Sequence, residues 1–348
     1  MSTKPRAGAR RSTASQSDGT RVAAIDCGTN SLRLLIADVA PEARYVTDVV
    51  RRMEVVRLGQ GVDRTGRLSD AALLRTFNMC DEFAAQIAKA GADRVRFVAT
   101  SAVRDASNRA EFDAGIESRL GVIPEVISGD EEATLSFCGA TGALGSRLHA
   151  EPMLVLDIGG GSTEFTLGDA EAGTVTQCCS VNIGCVRITE RCLHGDPPTG
   201  AELAAAVQTI DAAITVAMNE IGFATGAATG VATGSATARS SVGTLVGLAG
   251  SVTTIAAFIL GLDHYDPART HGAVISTERI HTAVLDLAAM TTAQRQAIPT
   301  MHPGRADVIV GGGLVLDRVL KRAGVGSVVI SEHDLLDGVA LSLADSAG

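Results

Sequence analysis

The 348-residue chain carries a net charge of −9; its first 19 residues, with Lys4, Arg6, Arg10 and Arg11 against Asp18, are themselves +3, which leaves about −12 on the rest. An acidic body lacks the basic footprint of a general nucleic-acid binder, although arginines and a bound cation can still draw a polyanion into one cleft. Hydrophobic residues make up 46 %, enough for one large or two medium cores, and the lack of an uninterrupted 18-residue apolar run or an apolar leader predicts neither a membrane span nor a secretory signal.

Residues 1–19 are rich in Ser, Thr, Arg and Gly and are expected to be disordered. Residues 22–39, VAAIDCGTNSLRLLIADV, read as two strands around a turn of small residues. An Arg-rich strand is predicted over 44–58, with turn residues at Gly59, Gly61, Asp63 and Gly66. Ser69 then caps a helix over about 70–90, whose apolar face carries Leu73, Leu74, Phe77, Phe83 and Ile87. VRFVATSAVRDA (95–106) is a strand running into a Thr/Ser/Arg turn, followed by a helix over about 107–119 and a strand over 122–127. SGDEEATLSFCGATGAL (128–144) is a second helix; Ser128 and Glu131 have the S-x-x-E spacing of a capping box.

Residues 153–168, MLVLDIGGGSTEFTLG, repeat the first hairpin: Asp26-Cys27-Gly28-Thr29-Asn30-Ser31 aligns with Asp157-Ile158-Gly159-Gly160-Gly161-Ser162. A strand pair is expected over 174–185 and an Ala-rich helix over 201–222. Residues 223–243 read as a low-complexity surface insertion. Residues 244–261 give strand, glycine turn and helix, and 302–324 a helix with a Gly-rich buried face. Residues 327–343 give a strand and a helix capped by Ser331. Strand–helix alternation through both halves means an α/β fold.

The repeated turn is the chemical signal. Glycine lets successive backbone N–H groups approach an anion, and an Asp at a strand end can hold a metal directly or through water. Two such turns suggest two related halves with a phosphate between them. Asn30, Ser31 and the backbone of 28–31 can hold it from one side, and Gly159, Gly160, Gly161 and Ser162 from the other. Asp157 and Glu164 flank the second turn and form the expected metal group, with Asp26 holding a metal-bound water. Three lysines occur (Lys4, Lys89 and Lys321) and none sits in a glycine-rich turn, which excludes a Walker-type phosphate site. The seven cysteines include no C-x-x-C pair, so reduced thiols in a cytoplasmic protein are expected.

D-C-G-T-N-S-L-R-L-L, A-T-S-A-V-R-D-A, I-S-G-D-E-E-A, D-I-G-G-G-S-T-E and N-I-G-C-V-R occur in this order within residues 21–345. Together they resemble the exopolyphosphatase / guanosine pentaphosphate phosphohydrolase family of the actin, sugar-kinase and Hsp-type ATPase superfamily. The resemblance implies two ribonuclease H-like (actin-like ATPase) lobes with the active site in the cleft. The first would comprise residues 20–130 plus about 331–348, as a returning C-terminal helix, and the second 131–330. It implies Mg²⁺, or another divalent cation, and removal of a terminal phosphoryl group of polyphosphate or guanosine pentaphosphate by water. It makes Arg104 a phosphate ligand, where the alternative is an ion pair with Asp105. Glu132 stands one residue beyond the capping position, free to face the cleft, and matches the family's catalytic glutamate; it is assigned as general base. Residues 247–254 resemble the superfamily's adenosine-side glycine motif. Arg187 and Arg305 are further candidates for binding the polyanion, and His302 and His333 are expected in capping or core roles. A kinase or nucleotide-binding module on the same fold is the alternative. Charge and hydropathy predict no nucleic-acid or membrane partner, and the resemblance allows a homodimer.

Overall fold

The computed structural model describes residues 19–40, 45–145, 152–222 and 243–345; apart from Gly19 and Gly243, the expected tail over 1–19 and insertion over 223–243 lie outside them. The chain opens with β1 (Thr20–Cys27), β2 (Ser31–Val39) and β3 (Thr47–Val55), a meander in which each strand pairs antiparallel with the next. After α1 (Val62–Thr65) and α2 (Asp70–Ala90), β4 (Arg94–Ala99) joins β1 in parallel. Next come α3 (Ser101–Arg104), α4 (Arg109–Leu120) and β5 (Glu125–Val126), then α5 (Gly129–Leu144). The sheet order is β3-β2-β1-β4-β5.

The second half repeats the plan. β6 (Met153–Ile158), β7 (Thr163–Asp169) and β8 (Thr174–Val181) form the meander, followed by α6 (Cys185–Cys192) and α7 (Gly200–Glu220). β9 (Thr244–Leu248) pairs with β6 in parallel and leads into α8 (Ala249–Ile259) and α9 (Pro267–Thr270). β10 (Val274–Ser276), α10 (Thr277–Ala289), α11 (Thr292–Gln296), α12 (Ile309–Ala323), β11 (Ser327–Ile330) and α13 (Leu335–Asp345) complete the chain. Its sheet order is β10-β11-β9-β6-β7-β8, so both sheets contain the ribonuclease H-like arrangement of a meander extended by parallel strands.

The central strands are apolar on both faces because helices cover both. On β1, Ala23, Ile25 and Cys27 pack toward the core under α2 and α4, whereas Val22 and Ala24 pack on Leu335, Leu336 and Val339 of α13. On β6, Leu154, Leu156 and Ile158 join the large core with α7 and α12, and Met153 and Val155 pack on Phe137 and Ala140 of α5. The period of two therefore puts Asp26 on the α13 face and Asp157 on the α5 face. These two helices cross each other. A Cβ on Gly139 would sit 2.1 Å from the Asp334 carbonyl oxygen, and one on Gly338 2.0 Å from that of Leu135. Gly139→Ala should accordingly destabilise by about 1–3 kcal/mol in urea unfolding, since backbone stands in the way and overpacking outweighs alanine's helix preference. Wild-type stability would contradict this crossing.

Several local expectations change. β4 stops at Ala99, and the Thr/Ser/Arg segment makes the helical turn α3. The expected strand pair over 174–185 is one strand followed by a helix, because the first N–H groups of α6 have better acceptors. Cys185 donates to the Gly159 carbonyl at 3.0 Å, and Val186 and Arg187 donate to that of Gly160 at 2.9 and 3.1 Å. Ser331 does not cap α13; its hydroxyl is engaged by His333, and Asp334 Oδ1 accepts from Leu336 N–H at 3.0 Å. The helix α7 is, among the described residues, long and apolar enough to cross a membrane by length and composition; here Ile210, Ile214, Ala217 and Met218 fill the second core.

Candidate active site

The two glycine turns have the same geometry. Gly28 N–H donates to the Ser31 carbonyl at 3.0 Å and Gly159 N–H to that of Ser162 at 3.1 Å. They meet face to face: a Cβ on Gly160 would lie 2.8 Å from Thr29 Cβ. A chamber of about 80 Å³ is lined by Gly28, Thr29, Asn30 and Ser31 from one turn and Gly159, Gly160 and Ser162 from the other. Asp26, Arg33, Glu132, Asp157 and Arg305 complete its polar wall. The first turn of α8 opens onto it through Ala249, Gly250 and Ser251. That helix start is favourable for an anion, and Ala249 is held at φ 67°, a conformation a non-glycine residue adopts only under constraint. An adjoining cavity of about 670 Å³ shares Arg33, Ala249, Gly250 and Arg305, and adds Thr253, Thr254, Tyr265 and Met301.

The carboxylates are supplied in register. Asp26 faces Arg33 across β1 and β2, and Asp157 faces Glu164 across β6 and β7, so Arg33 and Glu164 hold equivalent places in the two hairpins. Arg33 donates from Nε to Asp26 at 2.7 Å and also bonds Asp334 at the start of α13. Asp157 accepts from Ser136 Oγ at 2.7 Å, and Glu164 from Ser180 Oγ at 2.8 Å. Ser128 Oγ caps α5 by accepting from Glu131 N–H at 3.1 Å, but the capping box is half-formed: the Glu131 carboxylate pairs with Arg96 at 2.8 Å instead of reaching back. Glu132 lines the chamber, and Ser136, one helical turn on, bonds Asp157 of β6.

Burial dominates the electrostatics. It raises Glu132 well above the ordinary carboxylate range, assisted by Glu164, while Arg104 opposes the shift. Asp157 is pushed up to about 6 by burial and the Asp334 charge, and Glu164 to about 7 by burial and Asp157. Asp26 is also raised by burial, against the pull of Arg33. Asp26, Glu132, Asp157, Glu164 and Asp334 face Arg33, Arg104 and Arg305. Fully ionised, this set is net negative and would repel a phosphate unless a cation joined it.

Most expected residues converge here, and four occupy different places: Gly161, Arg104, Glu164 and Arg187. Gly161 does not line the chamber. Its carbonyl accepts from Arg187, and a Cβ on it would lie 2.4 Å from Ser101 Oγ, so it faces the first sheet. Arg104 stands beside Glu132 rather than on the chamber wall, donating to the Ile127 carbonyl at 2.6 Å and approaching Glu132 Oε2 at 3.4 Å; Asp105 is taken by Arg187. Glu164 is absent from the chamber wall and stands beside Asp157 as its cross-strand partner. The trio Asp26, Asp157 and Glu164 makes no ready cage, and no group of three His, Cys, Asp or Glu suited to a metal occurs among the described residues. Each of the three is turned to a different partner (Arg33, Ser136 and Ser180). The buried Asp26 Oδ1 and Glu164 Oε2 nevertheless have no hydrogen-bond partner. Arg187 is fully engaged by protein groups and is no polyanion ligand, whereas Arg305 lines both cavities. His302 accepts from Gly304 N–H at 3.1 Å and His333 pairs with Asp337 at 2.8 Å. Sequence reasoning missed Arg33 and Asp334. The signal for Arg33 was its spacing from Asp26, which equals that of Glu164 from Asp157.

The profile of the Ppx/GppA phosphatase family matches residues 35–347. The chain is 45 % identical over 336 residues to exopolyphosphatase 2 of Mycobacterium tuberculosis, covering 93 % of this chain and 99 % of that protein. It is 29 % identical over 339 residues to the guanosine-5'-triphosphate,3'-diphosphate pyrophosphatase of Vibrio cholerae, covering 93 % of this chain and 57 % of that protein. A crystal structure of an exopolyphosphatase-like protein matches with a TM-score of 0.85 and 42 % identity, over 93 % of this chain and 98 % of that one.

Proposed function

The chain belongs to the Ppx/GppA phosphatase family, and we propose that it releases the terminal orthophosphate of inorganic polyphosphate, guanosine pentaphosphate or both by in-line attack of water. It is a phosphoanhydride hydrolase. The observation that carries the mechanism is the buried Glu132 on the wall of a chamber enclosed by two glycine turns. The turns hold the terminal phosphoryl group, with Asn30, Ser31, Ser162 and Arg305 supplying side-chain donors. Glu132 takes the proton of the attacking water, and burial raises its affinity for protons above that of an ordinary carboxylate, the direction a general base needs. Arg104 orients that carboxylate. The larger cavity receives the remainder of the substrate. We assign residues 20–130 with 331–348 to one lobe and 131–330 to the other, and the protein to the cytoplasm.

Mg²⁺ or another divalent cation fits this site. Magnesium needs one or two carboxylates with waters and substrate oxygens, and the unpartnered oxygen of Asp26, with Asp157 on the same chamber wall, offers that much; Glu164 would add its charge from the strand beside Asp157. When bound, the cation neutralises charge on the phosphoryl oxygens.

Asp157 and Glu164 bind protons up to about 6 and about 7 in the fold, whereas unfolded carboxylates release them near 4. Between those values these two groups bind more protons in the folded state, so their own contribution to stability falls as pH rises through about 4 to 7. A cation reverses this penalty. The rise in Tm on adding Mg²⁺ should therefore be larger at pH 8 than at pH 5; an equal or larger rise at pH 5 would contradict cation binding at these carboxylates.

The functional test is orthophosphate release from long polyphosphate, short polyphosphate and guanosine pentaphosphate, with and without Mg²⁺. Metal-dependent release from at least one is expected. Transfer of phosphate from ATP to an acceptor, without hydrolysis of any of the three, would favour a kinase instead.

A further inference from the structure

Arg187 is buried in the first turn of α6, and its guanidinium is engaged by three separate segments. Nε donates to the Gly161 carbonyl at 2.7 Å, in the turn of the second hairpin. One terminal nitrogen donates to Asp105 at 2.6 Å, the residue that closes α3 directly after Arg104. The other donates to Asp63 in α1. Asp63 also receives two bonds from Arg191, both at 2.6 Å, and the Glu190 carboxylate accepts from Gly61 N–H at 3.1 Å. This ionic cluster lies behind the turns, away from the substrate chamber.

We propose that Arg187 is a positioning residue: it clasps the Gly159–Ser162 turn to α3 and thereby sets Arg104 against Glu132. The proposal rests on the reading that this site hydrolyses a phosphoanhydride. The turn leaves no room for side chains of its own that could anchor it to the first sheet, since a Cβ on Gly161 would lie 2.7 Å from Thr29 Oγ1. Arg187 supplies that anchor from outside. Its planar fork holds Gly161, Asp105 and Asp63 at once, a geometry lysine's single ammonium cannot reproduce. Arg191 is the internal comparison. It shares Asp63 and is more exposed; its hydrogen bonds go to Asp63, and it feels Asp105 only as a nearby charge.

The test combines steady-state phosphate release with amide hydrogen exchange over residues 157–163 in Arg187→Met, Arg187→Lys, Asp105→Asn and Arg191→Met. Both Arg187 variants should lower kcat on the order of a hundredfold with KM held within about twofold, because positioning and not binding is lost. Asp105→Asn should lower kcat in part, and Arg191→Met should leave kcat near wild type. Exchange over 157–163 should quicken in Arg187→Met and not in Arg191→Met. A wild-type kcat in Arg187→Met, an equal loss in Arg191→Met, or a change confined to KM would overturn the clasp. Should Arg187→Met fail to fold, Asp105→Asn, which keeps the Gly161 and Asp63 contacts, decides the matter by the same criteria. If the wild-type protein releases no phosphate, the functional reading fails, and the exchange comparison still decides whether Arg187 holds the turn.

Discussion

Glu132→Gln is expected to reduce phosphate release on the order of a thousandfold, the loss typical of removing a positioned general base, while the protein stays folded. The substitution keeps size and shape and removes a single charge. Glu132 is 7 % exposed in the first turn of α5, with Glu164, Asp157 and Asp26 close enough to disfavour its ionised form. Neutralising it relieves that repulsion, so Tm should hold or rise. A loss of activity with unchanged or higher stability separates a chemical role from a structural one. Activity within a few-fold of wild type would remove Glu132 from the mechanism.

Arg33→Met should have the largest effect on stability, about 3–5 kcal/mol near pH 8, because it leaves Asp26 and Asp334 buried without their shared counter-ion. Methionine retains much of the stem and its packing, so the loss reads out the charge. Without Arg33, which now holds it down, Asp26 would take up a proton more readily than it does now. That binding favours the folded state below its raised pKa and fades as pH rises, so the deficit should be smaller at pH 5 than at pH 8. Denaturant melts at both values measure it. A deficit under about 1 kcal/mol at pH 8, the size of an exposed pair, would show that Arg33 is not the structural cation of this cluster.

Much of this site was legible from the chain because the hairpin repeats. The D-x-G turns gave Asp26, Asn30, Ser31, Asp157 and Ser162 their places, and the period of two along β1 and β6 determined which helix each Asp faces. Cross-strand register was also present in the spacing: Asp26 with Arg33 matches Asp157 with Glu164. That register makes the two copies asymmetric, one carrying an ion pair and the other a pair of carboxylates. Other features depend on long-range contact. Asp334 reaches Arg33 from 301 residues away because α13 returns to the first sheet, and no local pattern records that. Gly161 and Arg104 resemble ligands by motif, yet tertiary packing turns one toward Ser101 and the other toward Ile127 and Glu132. The start of α6 reads as strand in the sequence because the acceptors for its first N–H groups are the carbonyls of Gly159 and Gly160, distant in sequence.

Hydrolysis carried out in ¹⁸O-labelled water, followed by mass analysis of the products, tests the central claim most directly. The account predicts one labelled oxygen in each released orthophosphate, none in the shortened chain or nucleotide, and loss of this labelling rate in Glu132→Gln. Label in the remaining substrate, or unlabelled orthophosphate, would contradict attack of water on the terminal phosphoryl group.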